Sequence, residues 1–308
     1  MTSNQEIYAV SPEGAFRTVS QLIYQAPETV EAAVALLAGG DAGTRIFAGG
    51  TDLLVQMKEE MIEPTLLVDI KKIDEARQIS IGADDVRIGA AVTGAELGEH
   101  EALKTLWPGV VEAVELIGSE QVQGRATIGG NLCNASPAAD SVPALVAAAA
   151  RAVIAGPDGS RELPVSELLT GPGQTALAAG EFVVSLVLPK PPAGSGDAYL
   201  RFIPRTEMDI AVVGAGVSLT LAGDGTCAQA RLALGAVAPT VRLVKAAADI
   251  LVGNRLDEQV LDALVSAASD TCSPIDDKRG TIDFRTKVAG VLAGRAAKIA
   301  WQRAEANR

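Results

Sequence analysis

Histidine and cysteine are nearly missing from this chain of 308 residues, which holds one histidine, His100, and three widely spaced cysteines, Cys133, Cys227 and Cys272. With no C-x-x-C pair, an iron–sulfur cluster or structural zinc within the chain has no ligand set. A disulfide framework lacks its cysteines too, and a reducing cytosol is the expected compartment. One imidazole makes neither a catalytic triad nor a metal site. In the polar stretch LGEHEALK, His100 is expected to be a solvated helix residue. No Walker sequence, G-x-S-x-G elbow or H-E-x-x-H occurs, so nucleophilic or metal-assisted hydrolysis has little to stand on. Positive charge is scarce as well: 26 Lys and Arg face 38 Asp and Glu, a formal net charge of -12. Nucleic-acid binding needs Lys and Arg to displace counterions, which argues against such a partner. A phosphate-bearing ligand would have to be held locally, by backbone N–H groups and a few placed side chains. Aromatics make up only 3% of a chain that is 48% hydrophobic, so the core must come from Ala, Val, Leu and Ile. Long apolar runs are missing: ALVAAAARAVIAG is short and broken by Arg151 and Gly156, and no membrane span is expected. The first residues lack the basic start and apolar core of a signal peptide.

What is present is glycine, in a particular company. Thr29 and Gly39-Gly40 bracket an apolar pattern of helical period. TRIFAGG then reads as a buried strand entering a glycine turn, TLLVDI (65–70) as a second strand and VRIGAAV (86–92) as a third. GAELGEHEALKTL and PGVVEAVELIG read as helices, and an Ala-rich helix and the strand AVIAG follow. Pro and Gly crowd together in LPKPPAGSGDA (188–198), which reads as a linker. Beyond it, DIAVVGAGVSLTL and ARLALGAVA read as antiparallel strands around the turn AGDGT. Helical patterns at 240–252, 257–269 and 282–303 complete the chain.

Two stretches, AGGTDLL (48–54) and TIGGNLCNASPAAD (127–140), place Gly-Gly after an extended segment and before polar residues. Glycine lets backbone N–H groups approach phosphate oxygens with no Cβ in the way, so the pair suits a pyrophosphate cradle. On that reading Thr51, Thr127, Asn131 and Ser136 add neutral hydrogen bonds and Asp140 accepts from ribose hydroxyls. A Cβ at Gly50 or Gly129 would occupy the space of a phosphate oxygen. The plainer reading is that Gly-Gly turns and Asn/Ser/Asp clusters simply make tight loops. VVGAGVSL (212–219) imitates a G-x-G-x-x-G fingerprint, but Leu219 stands at the third glycine and a strand and turn continue where a helix is required.

FAGGTDLL, GRATIGGNLCNASPAAD and YLRFIPRTEMDIAVVGAGVSL, in this order and spacing, closely resemble the FAD-binding medium subunit of the molybdenum hydroxylases, the xanthine dehydrogenase and carbon monoxide dehydrogenase family. The resemblance runs from about Phe16 to Arg303 and includes DDKRGTIDFRTKVAGVLAGRA near the end. It implies an α+β fold: a two-subdomain FAD-binding domain of the vanillyl-alcohol-oxidase/PCMH type over 16–190, with subdomains of about 16–80 and 81–190. A C-terminal α+β domain with a small antiparallel sheet and helices would cover 196–304. Carried over by position, Ala48, Gly49, Gly50, Thr51, Asp52 and Leu53 would form the first pyrophosphate loop. Thr127, Gly129, Gly130, Asn131 and Ser136 would form the second, with Asp140 on the ribose. Leu186 and Arg201 match positions near the cofactor in relatives, where lysine often replaces the arginine.

The resemblance further implies FAD on this chain and no catalytic acid or base of its own. A large molybdopterin subunit and a small subunit with two [2Fe–2S] clusters would be its partners, in a dimer of heterotrimers. Electrons would pass from the clusters through FAD to an external acceptor. Lack of a cysteine-bearing insertion argues against the benzoyl-CoA reductase branch, and Thr51-Asp52 departs from the GGHSLL of the carbon monoxide dehydrogenase branch. Two other readings stay open on sequence: a stand-alone flavin oxidoreductase with its own organic substrate, and a flavin-free assembly module.

Overall fold

The computed structural model describes the chain continuously from Leu22 to Arg308, together with two earlier strands, Tyr8–Val10 and Phe16–Thr18, paired antiparallel. The expected start of the flavin domain, residue 16, precedes the continuously described stretch.

Three of the five sheets among the described residues organise the fold. The first has three parallel strands in the order Ile23–Gln25, Leu66–Asp69, Thr44–Phe47. Helix Val30–Ala38 makes one of its crossovers, started by Thr29, whose side chain accepts the Ala32 N–H as an N-cap. The second sheet has five antiparallel strands in the order Ile79–Ile81, Asp85–Gly89, Phe182–Pro189, Arg151–Gly156, Gly159–Pro164. Its central strand, FVVSLVLP, is buried along most of its length, as expected of a strand covered on both faces. Short helices pack around it and share one aliphatic core with the first sheet, including Val68, Ile88, Val114, Ile128, Leu145 and Leu186.

The third sheet is an antiparallel meander of Ser195–Phe202, Val213–Leu221, Cys227–Gly235 and Arg242–Leu243. Helix Ile282–Ala306 packs on its first two strands and helix Glu258–Asp270 packs on that helix, around a separate core of Ala, Val and Leu. The GAG sequence therefore lies inside a strand and no helix follows it. Gly216 is small because a Cβ there would stand 2.6 Å from the Pro143 carbonyl oxygen, in the helix Ser141–Ala147 of the preceding domain.

Three local expectations are corrected. Residues 94–106 form two helices, Gly94–Glu99 and Glu101–Leu106, and His100 is the cap between them: its Nδ1 accepts the Leu103 N–H at 3.2 Å. The linker 188–198 is consumed from both ends, by the strand ending at Pro189 and the strand beginning at Ser195. The helical pattern 240–252 shortens to Ala246–Leu251 behind the strand Arg242–Leu243. Among the described residues no helix is long and apolar enough to cross a membrane.

Candidate functional site

The C-terminal ends of the parallel strands Thr44–Phe47 and Leu66–Asp69 lie side by side, with Phe47 opposite Asp69. Ligands of parallel sheets are met at such ends. Here the chain leaves Phe47 through Ala48-Gly49-Gly50-Thr51-Asp52 into the short helix Leu53–Lys58. Gly50 has φ +74°, and a Cβ on it would stand 2.6 Å from the Phe47 ring, so both conformation and space select glycine. Gly49 is selected by contact alone: a Cβ would lie 2.1 Å from the Arg125 carbonyl oxygen. The first glycine segment thus rests backbone to backbone on the chain that leads into the second.

That second segment is a helix, not a loop. Thr127 caps Ile128–Cys133, its hydroxyl accepting the Gly130 N–H at 3.0 Å. The Ile128 and Gly129 N–H groups bond the Val92 and Ala90 carbonyls, and the Asn131 N–H bonds the Thr127 carbonyl. A Cβ on Gly129 would lie 2.5 Å from the Ala90 methyl, so this glycine permits close packing against protein. The expectation that its side chain would fill the space of a phosphate oxygen is corrected: Ala90 occupies that space. Gly50 is corrected in the same way, with Phe47 as the obstacle. In the first segment the N–H groups of Gly49, Gly50, Thr51 and Asp52 bond no acceptor among the described residues. The two segments therefore differ in chemistry: one presents a run of unspent donors, while the other has the N–H groups from Ile128 to Asn131 already engaged.

Both line one cavity of about 580 Å³ between the first and second sheets, within the roughly 300–1,000 Å³ usual for small-molecule and cofactor sites. Ala48, Gly49, Gly50, Thr51, Asp52, Leu53, Thr127, Gly129, Gly130 and Asn131 all border it. Asn131 is positioned from behind, its Oδ1 accepting the Ser141 hydroxyl at 2.6 Å. The amide of Gln56 donates to Asn134 Oδ1 at 3.3 Å, joining the helix that follows the first glycine segment to the end of the helix that contains the second. Burial pushes the thiol of Cys133, which also borders the cavity, up to about 12, so it stays protonated at neutral pH. Among the described residues no group of His, Cys, Asp and Glu could hold a metal ion.

Four expected residues do not border this cavity. Ser136 accepts the Ala138 N–H at 3.3 Å and borders a second, smaller cavity at the junction with the C-terminal domain. Leu186 is fully buried in the central strand. Asp140 and Arg201 pair with each other at 2.8 Å, and the Tyr199 hydroxyl donates to Asp140 at 3.0 Å. Burial pushes the Asp140 carboxyl up to about 6, although Arg201 and Tyr199 pull it down. The sequence reading missed other walls of the cavity, including Ile117, Gly173, Leu177, Phe182 and Val183. They are apolar or glycine and carry no motif; Phe182 and Val183 arrive on the second sheet's central strand, and Ile117, Gly173 and Leu177 on connecting segments.

Comparison with known proteins agrees with this architecture. Residues 15–191 match the model of the FAD binding domain in molybdopterin dehydrogenase, and residues 198–300 match that of the CO dehydrogenase flavoprotein C-terminal domain. The carbon monoxide dehydrogenase medium chain of Afipia carboxidovorans is 36% identical, over 92% of this chain and 97% of its own length. A xanthine dehydrogenase FAD-binding subunit of Escherichia coli O157:H7 is 31% identical, over 85% of this chain and 91% of its own length. A crystal structure of a Cu,Mo-CO dehydrogenase in its cyanide-inactivated form contains a chain that superposes with a TM-score of 0.88 at 34% identity, covering 92% of this chain and 98% of that one. The chain belongs to the FAD-binding medium subunits of the molybdopterin dehydrogenases, the carbon monoxide dehydrogenase and xanthine dehydrogenase type.

Proposed function

We propose that this chain holds FAD in the cavity between its first two sheets and passes electrons from the [2Fe–2S] clusters of a small partner subunit to an external acceptor. A large molybdopterin subunit would be the third member, in a dimer of heterotrimers. The observation that carries the flavin assignment is the run of unspent N–H donors from Gly49 to Asp52 on the wall of a cofactor-sized cavity. A pyrophosphate is the part of FAD that needs such donors, and a chain of net charge -12 has no positive surface to offer instead. When bound, FAD supplies the exchange between one-electron donors and a two-electron acceptor.

The protein's own residues do the rest. Gly49 and Gly50 let the loop follow a course that Arg125 and Phe47 would deny to a side chain, and so present its N–H groups, with Thr51 beside them, to an anion. Thr127, Gly129, Gly130 and Asn131 form the facing wall, where the backbone donors of Gly129, Gly130 and Asn131 are already engaged, so that wall supplies mainly shape and the Asn131 amide. Ile117, Leu177, Phe182 and Val183 give an apolar surface that keeps water from a ring system. Asp140, Arg201, Ser136 and Leu186 stand behind the cavity and at the domain junction, where they support it. Purification of the tagged chain from its native cells tests the assembly: two further polypeptides carrying iron and molybdenum are expected, and a chain that purifies alone without either metal contradicts it.

A further inference from the structure

Lys71 lies outside every motif and does not border the cavity, yet it grips the loop that carries the free donors. It follows the strand Leu66–Asp69 on a single turn, Ile70–Lys72, at the sheet end from which the first glycine segment also leaves. Its Nζ donates to the Ala48 carbonyl at 2.8 Å and pairs with Asp69 Oδ1 at 2.8 Å. The same ammonium stands 4.1 Å from the centre of the Phe47 ring, the ring that faces Gly50. Asp69 is itself held, since it accepts the Lys71 backbone N–H at 2.9 Å and the Tyr24 hydroxyl. Burial alone would raise the Asp69 carboxyl; the bonds from Lys71 and Tyr24 outweigh it and hold it below the usual range.

We propose that Lys71 is a positioning residue for the cofactor's pyrophosphate, acting through the Ala48–Gly49 peptide. In a trans peptide the C=O and N–H point in opposite directions. An ammonium that captures the Ala48 carbonyl therefore turns the Gly49 N–H away from the sheet end, to the side on which Gly49 lines the cavity. Packing of the Lys71 charge on Phe47 fixes the ring against Gly50, so one side chain sets both ends of the Gly-Gly step. Tyr24 and Asp69 keep the ammonium from swinging into water, where a lysine with four rotatable bonds would otherwise spend its time. The inference rests on the flavin assignment above.

The test uses the full-length chain freed of flavin, titrated with FAD, and compares wild type with Lys71→Met and Lys71→Arg. Methionine keeps an apolar stem over Phe47 and removes the donor, whereas arginine keeps a donor and the charge. Loss of one charge-assisted hydrogen bond that orients a donor is expected to weaken FAD binding about tenfold in Lys71→Met. Lys71→Arg should bind within about threefold of wild type, and the flavin-free Lys71→Met chain should have a lower thermal midpoint, because Asp69 loses one partner, while staying folded at the titration temperature. Unchanged affinity in Lys71→Met overturns the proposal. So does an equal loss of affinity in Lys71→Met and Lys71→Arg, which would show that the donor to the Ala48 carbonyl is not what the cofactor needs. A wild-type chain that takes up no FAD would instead sink the flavin assignment itself.

Discussion

At the scale of single residues, the glycines of the two motifs share a letter and differ in purpose. Gly50 serves a left-handed turn against Phe47, Gly49 a backbone contact with Arg125, and Gly129 a contact with Ala90. The sequence shows that small residues are required, but not what they must avoid, because the obstacle in each case comes from a distant part of the chain. Gly129→Ala inserts a methyl where 2.5 Å is available, and overpacking of this kind costs about 1–3 kcal/mol. Urea unfolding of the flavin-free chain should show that loss. A variant with unchanged stability and no flavin would restore the idea that this Cβ displaces a phosphate. His100 teaches the same lesson: its polar surroundings read as exposed helix, while its ring is spent on a cap that only the break between two helices reveals.

At the scale of elements, strands with clear apolar content were legible and those opening with small polar residues were not. TRIF, LLVD and VGAGVSLTL were anticipated from their β-branched and aliphatic content. The strand SGDAYLRF opens with the composition of a linker, because Ser, Gly and Asp usually mark turns. Its Gly196 is there for the terminal helix: a Cβ would lie 2.2 Å from the Ala300 carbonyl oxygen. Gly196→Ala should therefore loosen the docking of helix Ile282–Ala306, at a cost of about 1–3 kcal/mol, with little change in FAD affinity. Equal unfolding curves for wild type and variant would mean that the helix shifts freely on its sheet. The helix Ile128–Cys133 was hidden for a related reason, since Gly-Gly and Asn are poor helix formers and only Thr127 announces the start.

At the scale of the whole molecule, the fold class was legible because the motifs recur in a fixed order, while the relation between domains was not. Asp140 and Arg201 come from different domains, and their pairing, with Tyr199, fastens the C-terminal sheet to the flavin domain. The folded-state pKa of Asp140, about 6, lies above its unfolded value, so its contribution to stability is full in acid and is lost as pH rises through about 6. Above that pH Arg201 is what keeps the buried carboxylate tolerable. Arg201→Met should cost about 3–5 kcal/mol at pH 8, as for other broken buried pairs, and markedly less at pH 5. Unfolding at the two pH values checks this; a penalty independent of pH would show that Asp140 does not titrate in this range.

The net charge of -12 sets the central problem of the molecule, how an acidic protein holds an anionic cofactor, and the answer offered is a short run of uncharged backbone donors. The most direct measurement is the flavin content of the purified chain: its absorption spectrum, with the heat-released cofactor identified by chromatography. One FAD per chain is the predicted result. A colourless chain that cannot be reconstituted with FAD would contradict the account, and the donors of Gly49 to Asp52 would then face nothing but water.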